Sequence, residues 1–290
     1  MSTISGFISG IVSYKKATTI IFKYHFWVYC LLSIVVFGSI FYFGYEIQKY
    51  SWLYSAKDAG DNFFLKIWYI AVKAFYELIA LAMINLTKYV MLMVLSPILA
   101  IISERVENIL TGNKYDLSIS QLIIDVKRAI KLAIRNLFYE MILIGITSLI
   151  ILILEAILGV ELTWLSWLTV SLVGAYYYGF SFIDYANERR RLSIKDSIKF
   201  ISNHKGITVA IGLVFSLIYN DLFRLFETNY TFLAVLAAIV VSITPIFAVV
   251  AATVTVDDLV DLSKNEFAKK TVSQNESSRA SSSSEDVLEK

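Results

Sequence analysis

Ionisable side chains that interrupt long apolar runs are the residues of this chain most able to do chemistry. Lys73 and Glu77 lie four positions apart, on one face of a helix, and Glu104, Arg105 and Glu107 fall close together where the same apolar run ends. At bilayer depth an ionisable group costs at least about 2.5–3.5 kcal/mol, so such groups pair or line a hydrated path. We predict these five residues as pore or elbow charges. For the first two, a purely structural ion pair is the alternative.

Patterns of catalysis and metal binding are missing from the sequence. His25 and His204 are far apart, and the single cysteine, Cys30, lies inside an apolar run. No zinc-ligand spacing, nucleophile elbow, phosphate-binding loop or dinucleotide fingerprint occurs. Glu140 and Glu155 would lie ~22 Å apart along one helix, too far for a carboxylate pair. We therefore predict no enzyme activity, no metal site and no cofactor.

The composition is that of a membrane protein. Hydrophobic residues make up 57% of the chain and charged residues 17%, against about 45–50% and 25% in soluble domains. The apolar runs are continuous, with 2 prolines and 12 glycines, which favours long helices over the short alternating strands of a barrel. The net charge is +2 and no domain is strongly basic, so we predict no nucleic-acid partner. The predicted partner is the lipid bilayer.

The apolar runs predict an all-α integral membrane protein with long spanning helices plus partly inserted helical hairpins. The run at 67–103 is longer than the ~30 Å apolar core of a bilayer, so it must tilt or bend, and Pro97 is the predicted bend. The run at 207–219 is too short to cross comfortably, which indicates a hairpin that enters partway. The remaining runs lie at 26–45, 137–158, 162–183 and 231–256.

Lysine and arginine predict the topology. They are concentrated in residues 1–24, 104–136 and 184–205, which by the positive-inside rule share the cytoplasmic side, together with both termini. The amphipathic helix expected within 104–136 either covers the flank of the protein or lies among lipid headgroups. Residues 1–261 form the predicted membrane domain, and the Ser-rich, charged residues 262–290 a disordered polar tail.

Four stretches together resemble the family of CysZ-type sulfate permeases and etoposide-induced proteins. The first is SPILAIISERVENILTG, which begins at Ser96 and is similar to the Pro–apolar–AEKVE–TG segment of that family. The others are GIVSYKKATTIIFKYHFWVYCLL near the N-terminus, YYYGFSFIDYANERRRLSIKDSIKF, which is similar to the family's aromatic DY segment and the basic elbow after it, and SITPIFAVVAATVTVDDL near the C-terminus. The resemblance extends over about residues 5–262.

The resemblance implies a sulfate permease in the plasma (inner) membrane of a bacterium and a homo-oligomer. It implies a bend at Pro97 and a charged elbow at Glu104–Glu107 that forms a pore mouth or an oligomer contact. The family's N-terminal Gly-Leu-Arg anion site corresponds here to Ser13–Lys16, so Lys15 and Lys16 are the predicted anion-binding residues, without the bidentate fork of arginine. For these lysines, plain anchoring at the cytoplasmic surface is the alternative. A structural or assembly protein of the same fold, without transport, is the alternative function.

Overall fold

The computed structural model describes residues 3–52, 62–85, 87–115, 119–226 and 231–264, and these ranges contain helices and no β-strand. The all-α fold predicted from the apolar runs is therefore confirmed. The helices in chain order are α1 (Thr3–Lys23), α2 (Trp27–Trp52), α3 (Phe63–Asn85), α4 (Thr87–Thr111), α5 (Ile119–Leu158), α6 (Thr163–Arg189), α7 (Ile194–Asn203), α8 (Lys205–Phe226) and α9 (Thr231–Val260), followed by a 3-10 turn (Leu262–Lys264).

Helix α9 forms the centre of the molecule. It contacts α1, α2, α4, α6 and α8, and its residues 248–252 are fully buried. These residues are alanines and valines, whose small side chains let neighbouring helices approach closely. The polar clusters described below are therefore arranged around one close-packed apolar helix.

Helices α6 and α8 cross at two glycines. A Cβ atom at Gly212 would lie 1.7 Å from the carbonyl oxygen of Ala175, and one at Gly179 would lie 1.8 Å from the carbonyl oxygen of Thr208. Only glycine permits backbones to touch in this way. The crossing fixes the position of α6, which carries most of the buried polar residues.

Apolar helical faces are left uncovered by the rest of the protein. Only 6% of the most apolar window of α5 is buried, and this helix is long enough to cross a membrane. In the described ranges, three helical stretches are long and apolar enough to cross a membrane: Lys88–Thr111, Ile123–Leu158 and Val235–Val260. The bent pairs α1–α2 (102°) and α7–α8 (92°) raise the number to five if each is one span. The chain is an integral membrane protein.

Helix α4 continues through Pro97, the predicted bend residue, to Thr111. Proline removes the N–H that would bond to the Met93 carbonyl, and the Ser96 hydroxyl donates to that carbonyl instead, at 2.8 Å. The predicted elbow at Glu104–Glu107 consequently lies inside the helix. The chain turns at Gly112, whose φ of 75° is in the left-handed region that favours glycine.

Helix α5 joins two segments that the sequence separates. It is a single helix of 40 residues that contains both the amphipathic segment and the following apolar run. Ile123 and Ile134 on its apolar face are exposed. The apolar face therefore does not pack against the flank of the protein along its whole length. After Gly159, with φ of 65°, α6 returns along α5, which confirms the predicted hairpin.

The packed body extends slightly beyond the predicted domain boundary. Leu262 is buried and belongs to the 3-10 turn that follows α9. Residues 265–290, which contain most of the predicted tail, lie outside the described residues.

Candidate functional site

Three buried carboxylates, Glu107, Glu140 and Asp184, organise the polar interior. Each is at most 4% exposed as a residue, and each lies within 4 Å of a lysine or arginine nitrogen. A buried carboxylate without a cation would be very costly, so the partners determine what each site does.

Glu107 is the centre of a network that ties α4 to α6 and α9. Its Oε2 accepts a hydrogen bond from Nε of Arg189 at 2.7 Å. The same guanidinium donates to Ser103, whose hydroxyl lies 2.5 Å from the Thr253 hydroxyl. The predicted elbow charge thus holds three helices together at the polar end of α6.

The loop after α4 completes the Glu107 network. Asn113 Nδ2 donates to Glu107 Oε1 at 3.1 Å and to the Leu262 carbonyl at 2.7 Å, and the Tyr115 hydroxyl donates to the same carboxylate oxygen. The Asn108 side chain donates to the Asn113 carbonyl at 2.6 Å. Both oxygens of Glu107 are therefore satisfied, and the loop is fixed relative to the end of α9.

Glu104 and Arg105 face another environment. They line a cavity of about 420 Å³ at the bend between α1 and α2, together with Lys114. The guanidinium of Arg105 lies 5.7 Å from the ring centre of Tyr29 on α2. The three predicted elbow charges are therefore divided between a closed network and an open cavity.

Glu140 lies at the centre of a second cluster, formed by α4, α5 and α6. The hydroxyls of Tyr89 and Tyr178 donate to its two carboxylate oxygens, the latter at 3.0 Å. Lys88 Nζ lies 3.8 Å from Glu140 Oε1 and 4.8 Å from the ring centre of Tyr178. Both oxygens have donors and the charge is matched by a cation within reach.

The Glu140 cluster was not predicted from the sequence. In the sequence, Lys88 and Glu140 each lie close to one end of a predicted membrane span, a position from which a charged side chain can also reach the interface alone. The sequence signal was present, because ionisable groups in such runs require partners. The pairing itself depends on the packing of α4 against α5.

Lys73 and Glu77 lie four residues apart on α3. Lys73 is exposed on α3, and the side chain of Glu77 lies outside the described residues. The predicted pair stays a prediction.

The predicted anion-binding lysines lie on the exposed side of α1. Lys16 Nζ forms an ion pair with Asp258 Oδ2 of α9 at 2.9 Å, while Lys15 is exposed. Exposed pairs of this kind contribute about 0–1 kcal/mol and exchange readily with water. Their role in anion binding stays a prediction.

A third cluster joins the amphipathic part of α5 to the end of α6. Arg128 donates to both oxygens of Asp184, at 2.8 and 3.0 Å, and to the Leu192 carbonyl. Ser197 of α7 also donates to Asp184. This bidentate pair was missed in the sequence, because Arg128 was interpreted only as part of a basic helix face.

Glu188, beyond the apolar part of α6, lies beside the Arg128–Asp184 pair. Burial, followed by the interaction with Asp125 and repulsion from Asp184, raises the pKa of its carboxyl to about 9. Its Oε1 atom is buried and has no hydrogen-bond partner among the described residues. The side chain is therefore protonated at neutral pH and contributes no charge to this cluster.

Replacing Glu188 by glutamine is expected to make thermal stability less dependent on pH. Folding raises the pKa of this carboxyl from 4.5 to about 9, so the protonated form favours the folded state. The resulting stabilisation is complete at pH values below 4.5. That contribution declines as the pH rises through this window, by up to about 1.4 kcal/mol per pH unit. Glutamine does not titrate, so the decline disappears. The measurement is the apparent Tm in detergent between about pH 5 and 9.

The control for this pH series is Glu161→Gln, since Glu161 is exposed in the turn between α5 and α6. Its curve should follow the wild type. Parallel curves for wild type and Glu188→Gln would contradict the assigned protonation of Glu188.

The comparisons with known proteins agree with the sequence resemblance. The family model described as sulfate transporter CysZ/etoposide-induced protein 2.4 matches residues 15–220, more than half of the chain. No curated protein matches.

Proposed function

The chain belongs to the sulfate transporter CysZ/etoposide-induced protein 2.4 family, and we propose that it is a permease or channel-like protein that passes sulfate or a related oxyanion across the membrane. The observation that carries the proposal is the family match, which includes all of α4 to α7 and therefore all three buried carboxylates. The proposal includes a homo-oligomer in a bacterial inner membrane, with both termini cytoplasmic, and no catalytic step.

The charge distribution supports passage of an anion. An unpaired carboxylate in the interior would repel a dianion strongly, because charges interact over longer distances at low dielectric. Glu107, Glu140 and Asp184 are each matched by a cation, and Glu188 is protonated. The interior thus presents no uncompensated negative charge among these four groups, and the exposed lysines of α1 can raise the local anion concentration.

One contact favours the alternative of a structural or assembly protein without transport. Lys16, a predicted anion ligand, is engaged by Asp258, and a carboxylate in that place competes with sulfate. If this ion pair serves only to hold α1 against α9, the protein has the fold of the family but does not transport sulfate.

Sulfate flux into liposomes tests the proposal. Wild-type protein should take up labelled sulfate above empty vesicles, and the double variant Lys15→Gln/Lys16→Gln should lower the initial rate about tenfold, because steering by local charge changes rates by 10-fold or more. The variant Lys195→Gln/Lys199→Gln is the matched control, since it removes two exposed lysines of α7. Absence of flux above empty vesicles would reject the permease and favour the structural alternative. An unchanged sulfate flux in Lys15→Gln/Lys16→Gln would show that the anion-binding site does not lie on α1.

A further inference from the structure

The cavity at the bend between α1 and α2 is lined by charged side chains that the described part of the fold leaves available. Arg105 and Lys114 line it, and neither side chain makes a hydrogen bond or ion pair with the described residues. Glu104 is the one carboxylate of the lining. Lys23 precedes the lining residue Tyr24, and its Nζ lies 5.4 Å from the centre of the Tyr24 ring. The cavity and its edge therefore carry an excess of positive charge.

The position of Lys114 is fixed by the fold. The preceding residue, Asn113, is buried and bonded to Glu107 and to the Leu262 carbonyl. Arg105 is held on a helix and stacks on Tyr29. Two cations on fixed backbones thus converge on a volume of about 420 Å³, which is large enough for a phosphate group and its substituent.

An apolar surface begins within one turn of this cavity. Phe26 lines the cavity, and from the next residue α2 exposes Trp27, Val28, Leu31 and Val35, each at least 47%. The last three recur at helical spacing, which makes a continuous apolar stripe along α2. Tryptophan and tyrosine are typical of the membrane interface, where ring and headgroup lie at the same depth.

We propose that this cavity binds the phosphate of an acidic phospholipid, with Arg105 and Lys114 on the headgroup and the acyl chains along the exposed stripe of α2. A free oxyanion shares the phosphate chemistry but has no use for an apolar stripe that continues from the cavity. A basic pocket at the cytoplasmic side of membrane helices is the arrangement that recognises acidic headgroups. The proposal uses the membrane assignment and the cytoplasmic placement of this end, and it is independent of whether sulfate is transported.

The test is native mass spectrometry of the purified full chain with phosphatidylglycerol in competition with phosphatidylcholine. Wild-type protein should retain phosphatidylglycerol preferentially. Arg105→Gln/Lys114→Gln should reduce that preference about 30-fold, which is two cationic side chains at about 1 kcal/mol each. The matched control, Lys195→Gln/Lys199→Gln, removes the same charge from exposed positions of α7 and should keep the preference.

Two results would overturn the proposal. One is an equal loss of preference in the control, which would show an effect of net charge alone. The other is displacement of the lipid by millimolar sulfate or phosphate, which would assign the cavity to a free oxyanion.

A third variant, Glu104→Gln, removes the carboxylate of the lining and should strengthen retention of phosphatidylglycerol. Sulfate flux is read in a separate assay, so a permease that fails to transport leaves the lipid result intact.

Discussion

Gly212→Ala is expected to prevent the protein from reaching its folded state. The new Cβ atom would lie 1.7 Å from the Ala175 carbonyl oxygen and 2.6 Å from the Gly179 nitrogen. Both are backbone atoms of α6, so no rotamer change relieves the overlap and the two helices must separate. Over-packing in protein cores costs typically 1–3 kcal/mol when side chains can adjust. Here we expect a loss beyond that range, seen as aggregation or absence of a monodisperse peak in size-exclusion chromatography.

Gly145→Ala is the matched control for this substitution. No atom lies within 4 Å of a Cβ built at Gly145, which is in the middle of α5. Alanine is preferred over glycine in a helix by about 0.5–1 kcal/mol, so the control should fold normally or gain slightly in apparent Tm. A folded Gly212→Ala protein with the Tm of the control would contradict the direct backbone contact of α6 and α8.

Arg189→Ala is expected to destabilise the protein by about 3–5 kcal/mol, the range measured when one member of a buried ion pair is removed. The Glu107 side chain is fully buried and would be left with a negative charge and only neutral donors. Ser103 loses its guanidinium donor at the same time. The measurement is the apparent Tm in detergent, with denaturant midpoints as a second readout.

Arg191→Ala controls for the loss of a positive charge in the same basic segment, because Arg191 is exposed two residues further along. It should shift the apparent Tm little. Adding Glu107→Gln to Arg189→Ala removes the orphaned charge and should recover part of the lost stability. A double variant no more stable than the single one would show that the ion pair is not the source of the effect.

The sequence was sufficient for the membrane class, the helical fold and the α5–α6 hairpin. These features follow from continuous apolar runs and from Gly159, which are local signals. The turn after α4 was mispredicted, because the chain was expected to turn at Glu104–Glu107 and α4 continues to Thr111, with the Ser96 hydroxyl replacing the hydrogen bond that Pro97 removes. A compensation by a neighbouring hydroxyl can be proposed from a Ser-Pro pair, yet many such pairs occur in turns.

The polar clusters were only partly predictable for a different reason. Glu107 was identified as a site residue, but its partner Arg189 lies 82 positions away and was assigned to a basic anchor. Lys88 with Glu140 and Arg128 with Asp184 are likewise separated by more than 50 positions. Such pairs are set by how α4, α5 and α6 pack, and a single sequence contains no signal of which helices become neighbours.

The length of α5 has a mechanical consequence. A straight helix of 40 residues is ~60 Å long, about twice the apolar thickness of a bilayer. One half of α5 therefore lies in lipid and the other half outside it, and a straight helix tilts as a whole. A tilt of the lipid-exposed half by about 5° would swing the far end sideways by about 5 Å. The bidentate clamp of Arg128 on Asp184 lies in that far half, so α6 must follow the swing. A change in bilayer thickness, which a long helix accommodates partly by tilting, is therefore expected to move the polar end of the protein.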